Sequence, residues 1–138
     1  MKELQKRKLD DVIKKTVEMK KPFLGICVGL QVLFEKSEES PGVKGLGIFS
    51  GKVVKFKQGK IPQIGWNKIK SKSIGNGYVY FVNSYYVAPF DRSIIESESD
   101  YYIKFTAAIK KDNVFATQFH PEKSGEFGLE LLREWLKC

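Results

Sequence analysis

Cys27 stands in Gly25-Ile26-Cys27-Val28-Gly29, and His120, the only histidine of the chain, stands in Gln118-Phe119-His120-Pro121-Glu122. A thiol on a glycine-flanked turn, one imidazole and a carboxylate two residues beyond it are the parts of a thiol nucleophile. The imidazole takes the thiol proton and later returns it to a leaving group, while the carboxylate fixes the imidazole tautomer. With no second histidine, any imidazole chemistry near neutral pH belongs to His120. Gly25-x-Cys27-x-Gly29 fits a nucleophile elbow, a strained strand-to-helix turn that holds the nucleophile clear of a sheet. Its backbone N–H groups and the start of the following helix are expected to lower the thiol pKa and to hold an oxyanion. Each motif has a plainer reading on its own, a buried structural cysteine between packing glycines and an ordinary histidine. Their joint occurrence favours chemistry.

Such groups need a scaffold. Between Lys2 and Met19, Leu4, Leu9, Val12, Ile13 and Val17 fall near helical spacing among charged residues, and Pro22 follows. Phe23 to Ile26 is too short an apolar run for a helix and reads as a buried strand; Val28 to Phe34 reads as a helix. The order helix, strand, sharp turn at Cys27, helix predicts a mixed, mostly parallel α/β sheet flanked by helices, with its site at the carboxyl ends of strands. After Ser40-Pro41-Gly42 the chain reads as β-rich, with strands over 51–56, 65–69, 78–82, 101–109 and 114–118. A last helix over 128–136 is expected to turn Leu129, Leu132, Trp135 and Leu136 to one face. The first helix has no strand before it, so the first βαβ unit is expected to be missing.

The 138 residues are one domain's worth of chain, 1–138, large enough for a single core without disulfide or metal staples. No apolar run approaches the roughly 18 residues of a membrane span, so no membrane association is expected. The two cysteines, Cys27 and Cys138, show neither a paired framework nor metal-ligand spacing, which points to a reducing cytoplasm and no metal. The net charge of +8 is spread along the chain with only three arginines, a solvated surface rather than a nucleic-acid footprint.

Leu24-Gly25-Ile26-Cys27-Val28-Gly29-Leu30-Gln31 together with Gln118-Phe119-His120-Pro121-Glu122-Lys123-Ser124-Gly125 resembles the class I glutamine amidotransferases, which have a flavodoxin-like fold. Pro62-Gln63-Ile64-Gly65-Trp66-Asn67 and Tyr80-Phe81-Val82-Asn83-Ser84-Tyr85-Tyr86 narrow the resemblance to the glutaminase subunits of imidazole glycerol phosphate synthases. It implies that Cys27 attacks the carboxamide of glutamine, that His120 protonates the departing ammonia and that Glu122 orients His120. It implies no cofactor, and as partner a (β/α)8-barrel cyclase of histidine biosynthesis that receives the ammonia. By the same resemblance Gln31, Val28, Ser84 and Tyr85 bind glutamine, while Tyr80, Lys123, Trp66 and Asn67 face the cyclase or wall the site. Two departures stand out. Asn83 occupies a position where the family usually has histidine, which leaves open a paralogue feeding a surface-sugar synthase; a noncatalytic remnant of the fold is the other alternative. The glycine-rich strand end that completes the family's oxyanion hole is absent from these residues, so the chain alone is expected to be a poor glutaminase.

Overall fold

The computed structural model describes residues 1–137; Cys138 lies outside the described residues. In chain order the elements are α1 (Lys2–Lys6), α2 (Leu9–Glu18), β1 (Phe23–Ile26), α3 (Val28–Gln31), β2 (Phe34–Ser37), β3 (Phe49–Lys55), β4 (Gln63–Ser71), β5 (Gly77–Asn83), β6 (Tyr85–Pro89), β7 (Ile95–Tyr101), β8 (Ile103–Lys111), β9 (Val114–Thr117) and α4 (Gly125–Trp135). Short 3-10 turns lie at Arg92–Ile94 and Pro121–Lys123.

The nine strands form one mixed sheet, and β8 is its branch point, pairing with β6, β7 and β9. The α/β class and the flanking helices agree with the sequence reading. The strand directions are more antiparallel than expected: among the described residues only β1 with β9 and β2 with β3 run parallel. The cause is local, because most neighbours from β4 onward are joined by short turns that can only return the chain antiparallel. β9 is buried at all four positions and its side chains alternate between two cores. Val114 and Ala116 face one core, where Leu30, Leu33, Phe34 and Val53 meet Ile13 and Val17 of α2. Phe115 faces the other, built on Phe81, Phe105, Phe119 and Leu131.

Four expected elements differ. The first helix is divided at Lys8, whose φ is 54°; Leu4 and Leu9 are five residues apart and would not share a face of one continuous helix. α3 stops after one turn instead of reaching Phe34. The carbonyls of Val32 and Leu33 accept from the N–H groups of Leu46, Ile48 and Phe49, which withdraws them from a helical ladder. The strand expected over 101–109 is the second half of a hairpin: Tyr102 turns at φ 59° and β7 precedes it. α4 begins at Gly125 and presents Phe127, Leu131 and Trp135 to the core, leaving Leu129 and Leu136 exposed. Gly128 sets that rotation, since a Cβ there would lie 2.0 Å from the Pro121 carbonyl oxygen.

Candidate active site

β1 and β9 run side by side in the same direction, with Ile26 opposite Thr117. Cys27 follows the end of β1 and His120 follows the end of β9 by three residues, so both leave the sheet at one edge. The Cys27 N–H donates to the Thr117 carbonyl at 2.7 Å, tying the elbow to β9. At the elbow Cys27 has φ 53° and ψ −106°, a conformation that favours glycine and costs a cysteine about 1–3 kcal/mol. The flanking glycines have different jobs. A Cβ on Gly25 would stand 2.8 Å from the Gly29 carbonyl oxygen and 3.1 Å from the Ala116 Cβ, so Gly25 lets α3 lie close on β1 and β9. A Cβ on Gly29 would meet nothing within 4 Å.

His120 is held from three sides. Its Nδ1 lies 2.8 Å from Glu122 Oε1. Its N–H donates to the Tyr80 carbonyl at 3.0 Å. The buried Ser124 hydroxyl donates to the His120 carbonyl at 2.6 Å and accepts from the Tyr80 N–H at 2.9 Å. Pro121 is the first residue of the 3-10 turn that brings Glu122 back beneath the ring. Ser124 was visible in the sequence only as part of a motif, and its clamp on β5 needed the fold to be seen.

Gln31 sits one turn past Cys27, where its Nε2 donates to the Tyr85 carbonyl at 3.3 Å and to Gln118 Oε1 at 3.0 Å. Gln118 is fully buried and its Nε2 donates to Cys27 Sγ at 3.7 Å. The Tyr85 carbonyl also accepts from Asn83 Nδ2 at 2.9 Å, while the neighbouring Ser84 carbonyl accepts from the Phe56 N–H at 3.0 Å. Val28 and Gln31 line a cavity of about 90 Å³ with Ser37, Glu39 and Val43. Gln118 and Glu39 were not singled out from the sequence. Gln118 lies 91 residues from Cys27 along the chain, and Glu39, just past β2, acts on the thiol only through space.

The Cys27 thiol is not lowered as expected. Burial pushes it above its ordinary value, the Val28 N–H pulls it down, and the Glu122 and Glu39 carboxylates push it up again against a small opposing pull from the Gln118 amide. One turn of helix and one N–H do not outweigh burial and two carboxylates. A thiol held up in this way would need a base to act as a nucleophile.

The outward faces of β4 and β5 carry a cross-strand ladder, Ile64 opposite Val82, Trp66 opposite Tyr80 and Lys68 opposite Tyr78. Ile64, Trp66 and Tyr78 are exposed, and the Trp66 and Tyr80 rings meet edge to face at 5.9 Å. Gly125 lies under Trp66, which places this ladder beside the His120 turn and the exposed Lys123. Asn67 is separated from this group. It points to the opposite face by strand alternation, and its Nδ2 donates to the Asp100 carbonyl at 2.7 Å, joining β4 to β7. Among the described residues no cluster of His, Cys, Asp and Glu could hold a metal ion, and no helix is long and apolar enough to cross a membrane.

Residues 5–137 match the class-I glutamine amidotransferase family. The chain is 48% identical over 138 residues to the imidazole glycerol phosphate synthase subunit HisH of Methanocaldococcus jannaschii, covering 94% of this chain and 70% of that one. It is 48% identical over 144 residues to the HisH subunit of Aquifex aeolicus, covering 98% of this chain and 70% of that one. A crystal structure of a glutamine amidotransferase superposes with a TM-score of 0.75 at 18% identity, over 97% of this chain and 69% of the other, a likeness of fold. These relatives do not favour the surface-sugar alternative. An elbow cysteine and a glutamate-held histidine that follow two neighbouring strands, on a fold and a sequence shared with these proteins, place the chain in the class-I glutamine amidotransferases, among the HisH subunits of imidazole glycerol phosphate synthase.

Proposed function

We propose that the chain hydrolyses glutamine to glutamate and ammonia at Cys27 and delivers the ammonia to a (β/α)8-barrel cyclase subunit for histidine biosynthesis. One observation carries this reading: two neighbouring parallel strands end in a thiol and in an imidazole locked onto a carboxylate. As Sγ bonds to the carboxamide carbon, His120 takes the thiol proton. When the C–N bond breaks, His120 returns that proton to the nitrogen and ammonia leaves. Water then adds to the thioester, His120 takes its proton, the C–S bond breaks and the thiol is restored as glutamate departs. Glu122 keeps Nδ1 protonated, so Nε2 is the atom that exchanges protons. The Val28 N–H, already on the sulfur, is the donor this chain offers to the tetrahedral oxygen.

Gln31 and the Tyr85 backbone frame the substrate side of Cys27, and Glu39 supplies a carboxylate on the cavity that Val28 and Gln31 line, suited to the α-ammonium of glutamine. The cyclase docks on the ladder Ile64, Trp66, Tyr78, Tyr80 and Val82. An exposed aromatic and aliphatic face with a lysine at its rim has the make-up of an interface core. The test is glutamate release by the chain with its cyclase partner. Wild type is expected to release glutamate, and Cys27→Ala to release none while still binding the cyclase; undiminished release by Cys27→Ala overturns the assignment.

A further inference from the structure

Gln118 is a neutral side chain with no exposed surface, and both ends of its amide are committed to functional groups rather than to the sheet it sits beside. The backbone of this residue is fixed separately, by its N–H on the Ala107 carbonyl at 2.8 Å. Its side chain therefore adds nothing to strand pairing. Its Nε2 hydrogens point at Cys27 Sγ, and its Oε1 accepts from Gln31 Nε2, a bond spanning 87 residues of sequence. Because Gln31 Nε2 is shared between Gln118 Oε1 and the Tyr85 carbonyl, the Gln31 amide is held in one orientation with its own Oε1 free.

We infer that Gln118 is a positioning residue that couples the nucleophile to the substrate-holding amide, aiming Cys27 Sγ with its NH2 and Gln31 with its carbonyl. The inference rests on the reading of Cys27 as nucleophile and Gln31 as glutamine ligand. Its chemistry is asymmetric. An N–H on sulfur favours the thiolate over the thiol, so the NH2 end acts on reactivity. The carbonyl end fixes which atom Gln31 turns to the pocket, so it acts on substrate affinity. No other side chain links the two groups among the hydrogen bonds of the described residues.

The two ends are separable by substitution. Gln118→Met keeps the volume and removes donor and acceptor; Gln118→Glu keeps an acceptor for Gln31 but replaces the donor on sulfur with a carboxylate. The variants are compared as the chain with its cyclase partner, by the pH dependence of Cys27 alkylation with iodoacetamide and by KM and kcat for glutamate release. Gln118→Met is expected to raise the alkylation midpoint by up to about half a pH unit, since its amide is the weakest of the pulls on the thiol, and to raise KM roughly tenfold, the weight of one hydrogen bond to Gln31. Gln118→Glu is expected to raise the midpoint further, lower kcat and leave KM within about twofold, a split that a purely structural role does not produce. Wild-type midpoint and KM in both folded variants, with wild type splitting glutamine, overturn the inference and leave the glutaminase reading standing. A wild type that neither releases glutamate nor is alkylated at Cys27 overturns both.

Discussion

His120 Nδ1 and Glu122 Oε1 lie 2.8 Å apart across a turn whose first residue is Pro121, so one short segment carries both the imidazole and the carboxylate that holds it. Glu122 is 46% exposed, which lets water reach the bond. Glu122→Gln is therefore expected to lower kcat for glutamate release by roughly 10- to 100-fold, at or below the lower end of what a positioned acid-base contributes. KM should stay near wild type, because Glu122 does not line the cavity with Gln31 and Glu39. Steady-state kinetics with glutamine checks both.

The raised Cys27 thiol gives a pH prediction. Alkylation of the free protein by iodoacetamide is expected to rise with pH along a curve whose midpoint lies above the ordinary thiol value of 9.0. Glu39→Gln and Glu122→Gln each remove a negative charge that disfavours the thiolate, so each should shift the midpoint down. Glu39→Gln alone should also raise the glutamine KM, by about tenfold for a lost charge-assisted contact, since Glu39 lines the cavity. A midpoint that moves up in Glu39→Gln contradicts the sign of this argument.

The two motifs and the elements that carry them were legible in the sequence because they are local. Phe23 to Ile26 is a short apolar run, and the break at Cys27 is marked by its neighbours. β7 was not legible, since its inward side chains include Glu96, Ser97 and Ser99, which leave no apolar alternation. Two of them are satisfied by tertiary partners: Glu96 Oε1 accepts from the Ser71 and Ser73 hydroxyls, both at 2.9 Å, and Ser99 Oγ donates to the Lys68 carbonyl, whereas the buried Ser97 hydroxyl has no partner. The site behaved the same way. Cys27, His120 and Glu122 could be read in their motifs, whereas the Gln118 bridge and the Ser124 clamp arise between segments about 40 to 90 residues apart. Asn67 stands next to Trp66 in sequence, yet strand alternation sends the two to opposite faces.

Gly25 and Gly29 give a matched pair of tests. Gly25→Ala drives a Cβ into the Gly29 backbone, with Ala116 behind it, and rigid backbone does not yield. It should cost about 1–3 kcal/mol of stability and displace Cys27, with a large loss of kcat. Gly29→Ala has open space before it and a helical backbone, so stability should hold or rise by up to about 1 kcal/mol. Denaturant unfolding of the two variants measures the contrast; equal destabilisation would show that the elbow is not packed as described.

The exposed ladder on β4 and β5 predicts where association with the cyclase is most sensitive. Trp66 is the largest side chain on it, 56% exposed and braced edge to face by Tyr80. A braced aromatic at the centre of a face is the usual anchor of an interface. Trp66→Ala is expected to weaken cyclase binding by about 30-fold or more, equivalent to a loss of about 2 kcal/mol or more. The alkylation profile of Cys27 in the free protein should not change, because no bond of the Cys27, Gln31 and Gln118 network passes through Trp66. Lys123 lies at the rim of the same face and is exposed, so Lys123→Ala should act mainly on the association rate, and its effect should shrink as salt rises. Asn67→Ala is the internal control. With its side chain on the inner face bonded to Asp100, its loss should lower stability by about 1 kcal/mol and leave cyclase affinity unchanged. Titration of the cyclase against the three variants separates these outcomes, and an Asn67→Ala protein that binds as weakly as Trp66→Ala would place the interface elsewhere.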